Sequence, residues 1–99
     1  MSALVRTDVA LAVTEACSNV VAHAYVDAAA PGPLIVESYR TDDEFVVVVS
    51  DEGTGIAPRA NSPGMGLGLP LMARLTKHLR IGSNGRGGAK VTMAFAGAG

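Results

Sequence analysis

Apolar residues recur along the first part of the chain at spacings of three and four. From Arg6 to Tyr25 there is no glycine or proline, and Val9, Val13, Ala16, Val20 and Ala24 fall on one face of a predicted helix. The pattern breaks at Ala28-Ala29-Ala30-Pro31-Gly32-Pro33, where two prolines withhold backbone donors and Gly32 frees the chain. Leu34 to Arg40 and Phe45 to Ser50 then read as strands, and the polar group Thr41-Asp42-Asp43-Glu44 between them predicts a reverse turn and hence a hairpin. Val46 to Val49 do not alternate with polar residues. A strand of that kind is covered on both faces and sits centrally in its sheet.

From Asp51 to Gly68 there are five glycines and two prolines, which predicts an irregular loop suited to an active site. Helical spacing returns over Leu69 to His78 through Leu71, Met72 and Leu75, with Pro70 in the first turn, where its missing N–H does no harm. Two last strands, Leu79 to Ser83 and Ala89 to Phe95, are joined by the flexible connection Asn84-Gly85-Arg86-Gly87-Gly88. The order of helix, two strands, loop, helix and two strands predicts a single α/β domain over residues 1–99. Its expected architecture is a two-layer sandwich with a mixed sheet and the helices on one face.

Composition narrows the function. Of the 99 residues 48% are hydrophobic and 17% are charged, which fits a packed domain rather than a disordered tail. The net charge of −1 comes without a basic stripe, which argues against nucleic acid as a partner. The longest aliphatic run, Val46 to Val49, is far short of a membrane span, so no membrane association is expected. A lone cysteine, Cys17, excludes an internal disulfide, and no signal-peptide layout opens the chain, so a cytoplasmic setting is expected. Cys17 lies beside the apolar helix face and reads as a small core residue, not a nucleophile.

Three clusters carry candidate chemistry. Glu15, Asn19 and His23 are spaced by four, so each lies about 40° further round the helix and together they form a slanting polar stripe. An Asn oxygen can ligate a hard cation such as Mg²⁺, and a Glu one turn earlier can receive a proton from a hydroxyl. The same stripe also reads as the boundary of an amphipathic helix. The second cluster, Asp51-Glu52-Gly53-Thr54-Gly55, follows the valine strand. Asp51 can accept a hydrogen bond from an amino group and the glycines let the backbone approach a flat ring, although Asp before Gly is equally a turn signal. The third, Gly64-Met65-Gly66-Leu67-Gly68-Leu69, lacks the strand–turn–helix context of a dinucleotide fingerprint but precedes a helix whose first N–H groups suit phosphate oxygens.

In this order the three clusters resemble the N, G1 and G2 boxes of the GHKL ATPase superfamily, to which gyrase and the sensor histidine kinases belong. Within it, Glu15 through Tyr25 and Gly66-Leu67-Gly68-Leu69-Pro70-Leu71-Met72 look most like the anti-sigma-factor serine kinases of bacterial stress and sporulation switches. The resemblance implies the Bergerat-type ATPase fold, ATP and Mg²⁺ as cofactors, and an anti-anti-sigma partner of the STAS type together with a sigma factor. By resemblance Glu15 is the general base toward a serine hydroxyl, Asn19 holds the magnesium, and Asp51 binds the adenine amino group. Gly53 and Gly55 shape the adenine pocket. Gly64, Gly66 and Gly68 hinge a lid and, with Leu69, present backbone N–H groups to the phosphates.

This chain departs from the family pattern in three ways. Family members normally have a further strand and helix before the N box, whereas Met1 lies only fourteen positions before Glu15; a truncated or minimal form is expected, with a sheet edge and helix surface able to pair with a second copy as a homodimer. The lid between Gly55 and Gly64 is short, with Arg59 its only cation. Ala89 stands where a threonine commonly supports the adenine-binding carboxylate, and Thr92 lies three residues too late to replace it. Two further readings follow: a module that sequesters its partner, with or without nucleotide, and has no kinase activity, or a histidine-kinase-type ATPase domain. The latter fits less well, because no phosphoacceptor helix precedes the N box and neither His23 nor His78 supplies one. His23 has a structural role in this reading, and His78 sits at a helix end.

Overall fold

The structure is a computed structural model, in which residues 2–21, 32–53, 65–83 and 88–97 are described, those from 65 to 69 as backbone only. Helix α1, Ala3–Asn19, begins earlier than Arg6 because Ser2 is its N-cap: the Ser2 hydroxyl accepts the Val5 N–H at 3.1 Å. Ala12, Ala16 and Val20 are buried, with Val5, Val9 and Val13 packed at their margin. The small alanines let the helix axis approach the sheet closely. The expected continuation of this helix to Tyr25, with Ala24, lies outside the described residues.

Strands β1 (Leu34–Arg40) and β2 (Glu44–Asp51) form the expected hairpin, in unbroken register from Leu34 opposite Asp51 to Arg40 opposite Phe45. Thr41 closes its turn, donating its N–H to the Glu44 carbonyl at 2.9 Å and accepting the Glu44 N–H on its hydroxyl at 3.0 Å. Strands β3 (His78–Ser83) and β4 (Ala89–Ala96) form the second hairpin, and the sheet order is β1-β2-β4-β3. Every neighbouring pair is antiparallel, so the sheet is not mixed as expected. The crossover from β2 does bring β3 back parallel to it, but one position away, and β4 fills the gap between them.

Helix α2 spans Met65–Leu75, earlier than the expected Leu69 to His78. Glycine propensity, about 1 kcal/mol worse per residue than alanine, argues against a helix through Gly66 and Gly68, yet both are helical. Pro70 is therefore the sixth helical residue and lies beyond the first turn. It removes the donor that the Gly66 carbonyl would otherwise have, a substitution costing about 3 kcal/mol in a helix interior. The helix ends where Thr76 donates both its N–H (3.1 Å) and its hydroxyl (2.8 Å) to the Met72 carbonyl. Lys77 then donates to the Ala94 carbonyl at 2.7 Å, so His78 opens a strand instead of closing a helix. Its Nε2 lies 3.5 Å from the Glu44 carboxylate, which Lys77 also approaches at 3.7 Å.

The main core lies between helices and sheet: Ala12, Ala16, Val20 and Met72 against Val47, Val49, Ala89, Val91, Met93 and Phe95. A second cluster of Val46, Val48 and Ala94 lies on the opposite face. Strand β2 is thus buried on both faces, as its four valines predict. Beyond β4, Gly97 donates to the Asp43 carbonyl at 2.9 Å, and a Cβ added there would stand 2.9 Å from the main-chain atoms of Asp43 and Glu44. Only glycine allows this approach, which ties the end of β4 to the first hairpin turn.

Candidate functional site

Two polar side chains are buried among the described residues, Asn19 at 4% and Asp51 at 0% exposure. One closes α1 and the other closes β2. Asp51 follows Val47 and Val49 on the helix-facing side of the sheet, because side chains alternate along a strand. The β2 position that continues the buried valine row therefore carries a carboxylate.

That carboxylate is held by main-chain donors. Its Oδ1 accepts the Gly53 N–H at 2.9 Å, closing a tight turn after β2, and the Ala89 N–H at 3.4 Å from the start of β4. The second contact was not anticipated from sequence. Ala89 has no hydroxyl, yet its backbone reaches the group that a threonine side chain would support. The readable signal is the register of β2 with β4: Ser50 lies opposite Lys90, so the next pair brings Asp51 and Ala89 together. Thr92 lies opposite Val48 and Arg80, on the face turned away from the helices, and cannot serve Asp51.

Asn19 is the other fixed point. Its Nδ2 is buried without a hydrogen-bond partner among the described residues. A buried amide donor left unsatisfied costs about 1–3 kcal/mol, so the position is suited to a bound ligand. Its side-chain oxygen fits a magnesium site, since Mg²⁺ takes one or two protein oxygens and completes its shell with phosphate and water. No group of three His, Cys, Asp or Glu suited to a metal occurs among the described residues. Glu15, one turn earlier and about 40° round the helix, is partly buried. Its carboxylate can accept a proton at the margin of the same site.

The remaining candidates divide. Gly53 is partly buried beside Asp51, as the turn requires. Gly55, Gly64, Arg59 and His23 lie outside the described residues. Gly66 and Gly68 belong to the first turn of α2, so these two are helical and are not the loop hinge expected, while Leu69 is helical as its spacing predicts. Backbone N–H groups of a first turn have no acceptor within their own helix, which keeps them suited to phosphate oxygens.

An open groove of about 420 Å³ lined by Val13, Thr14, Cys17, Ser18 and Val21 lies elsewhere and contains none of these residues. Val13 and Cys17 are rotated about 160–200° from Glu15 around α1. Cys17 packs against the core as expected, and burial pushes its thiol pKa up, away from nucleophilic use. No described helix is long and apolar enough to cross a membrane.

No curated protein matches the chain. The family described as histidine kinase-like ATPase domain matches residues 1–95, a span that takes in Glu15, Asn19, Asp51 and the glycines of both later clusters. With that match, and with a buried asparagine and aspartate at the ends of α1 and β2, the chain belongs to the histidine kinase-like ATPase domain family, whose members bind ATP.

Proposed function

We propose that the protein is an anti-sigma-factor serine kinase, which binds ATP with Mg²⁺ and phosphorylates an anti-anti-sigma partner. The observation that carries the nucleotide site is the pair of buried polar groups, Asn19 and Asp51, set in an otherwise apolar core. In this reading Asp51, oriented by Gly53 and Ala89, accepts a hydrogen bond from the exocyclic amino group of adenine. Gly53 lets the backbone lie against the ring. Asn19 holds the magnesium, which neutralises phosphate charge when bound. Gly66 and Gly68 lend N–H groups to the phosphates. Glu15 accepts the proton of the partner's serine as its oxygen bonds to the γ-phosphorus and ADP leaves. Positioning and charge neutralisation supply most of the rate in such a transfer. The partner identities rest on the resemblance of Glu15 to Tyr25 and of Gly66 to Met72.

Calorimetry with ATP and ADP, with and without Mg²⁺, tests the nucleotide site. The unaltered chain binds in a Mg²⁺-dependent way, and Asp51→Asn weakens binding by roughly ten- to a hundredfold, the worth of a hydrogen bond to a charged group. Equal binding by the two proteins removes Asp51 from the adenine site. Glu15→Ala abolishes transfer to the partner serine while leaving nucleotide affinity nearly unchanged; loss of both together would contradict its role as base. A second reading, a module that holds its partner without phosphorylating it, draws support from the missing hydroxyl at Ala89. Phosphoserine on the partner excludes it.

A further inference from the structure

Asp51 belongs to a row of side chains that crosses the sheet on the side of the helices: Leu34 on β1, Asp51 on β2, Ala89 on β4 and Ser83 on β3. Its neighbours on that side are therefore Leu34 and Ala89 across the strands and Val49 two residues back along β2. All three are aliphatic, and none of their side chains can donate a hydrogen bond. The peptide N–H groups of Gly53 and Ala89 both end on the Asp51 Oδ1. The hydroxyl of this row is that of Ser83, two strands from Asp51 and about 10 Å away. Ser50 and Thr92 lie on the other face of the sheet.

This arrangement bears on how much of a nucleobase Asp51 can distinguish. An ionised carboxylate only accepts hydrogen bonds. On the edge of adenine that carries the exocyclic amino group, the amino group donates and the adjacent ring nitrogen, N1, accepts. The carboxylate serves the first and offers nothing to the second, and the aliphatic side chains beside it offer nothing either. We propose that Ala89 sets the selectivity of the base site: with a methyl group at that position the amino group is recognised and N1 is not, so the site takes 6-aminopurine nucleotides with or without a nitrogen at ring position 1. The inference rests on Asp51 being the residue that meets the base. Ala89 is the deciding neighbour because it is 3% exposed and packs in the core beside Asp51, whereas Leu34 is 39% exposed.

Calorimetry with Mg²⁺ and three triphosphates tests the assignment: ATP, 1-deaza-ATP, in which a C–H group replaces N1, and purine riboside triphosphate, which lacks the amino group. The unaltered chain binds ATP and 1-deaza-ATP equally, within about threefold. It binds purine riboside triphosphate roughly ten- to a hundredfold more weakly, the worth of a hydrogen bond to a charged group. Ala89→Ser keeps the N–H that orients Asp51 and adds a hydroxyl beside it, so this chain prefers ATP to 1-deaza-ATP by about three- to tenfold, the worth of a neutral hydrogen bond. A preference of the unaltered chain for ATP over 1-deaza-ATP beyond about threefold overturns the proposal and leaves the nucleotide site standing, even where Ala89→Ser fails to fold. Equal affinity of Ala89→Ser for the two removes position 89 from the role. Purine riboside triphosphate binding as tightly as ATP, or no binding of any of the three, removes Asp51 from the base site and the inference with it.

Discussion

The two arms of the first hairpin start from similar material and end differently. Leu34–Arg40 and Glu44–Asp51 each carry a run of apolar residues and pair in continuous register, yet every residue of β1 is exposed while Val46 to Val49 and Asp51 of β2 are buried. The difference is in the neighbours. Strand β2 has β4 on its far side, helices over one face and the Val46–Val48–Ala94 cluster on the other. Among the described residues strand β1 has β2 alone as a strand neighbour. Burial is therefore a property of position in the sheet more than of residue type, and the candidate site grows from the arm that position holds still: Asp51 is the last residue of β2.

Substitutions that probe this contrast rank by how many neighbours they disturb. Phe95→Ala, in the strand beside β2 and 1% exposed, empties the centre of the main core and lowers unfolding free energy in urea by about 3–5 kcal/mol. A loss near that of a surface change would mean that the core does not depend on β4. Gly97→Ala presses a methyl group onto the Asp43–Glu44 main chain and costs about 1–3 kcal/mol, since the atoms it meets are backbone and cannot swing aside. The smallest effect is expected on the other arm: Ile35→Ala changes the stability of the dilute chain by no more than about 0.5 kcal/mol.

Much of the fold was legible where pattern and position agree. The four valines marked β2 as central, and the Pro31-Gly32-Pro33 break and Thr41–Glu44 turn bounded β1 closely. The first helix was found on its apolar period, but its start was missed because Ser2, a capping hydroxyl, lies before the first periodic residue. The second helix begins earlier than its spacing predicts because Gly66 and Gly68 are poor helix formers in isolation and mask its first turn in the sequence. For the site, Asn19 and Asp51 were legible as residue types at motif spacing. Their burial was not, because it depends on the meeting of α1, β2 and β4. The Ala89 contact was hidden for a related reason: a main-chain donor has no side-chain letter to announce it.

That contact bears on how the site tolerates sequence drift. Two of the donors that orient Asp51 are peptide N–H groups, at Gly53 and Ala89, so the side chain at position 89 can be exchanged without erasing either. Loss of a hydroxyl there removes one supporting group and leaves the carboxylate aimed. Proline is the replacement that deletes the donor itself. The orientation of the residue that would read the nucleobase is thereby stored in the path of the backbone, and it lasts as long as β2 and β4 stay in register.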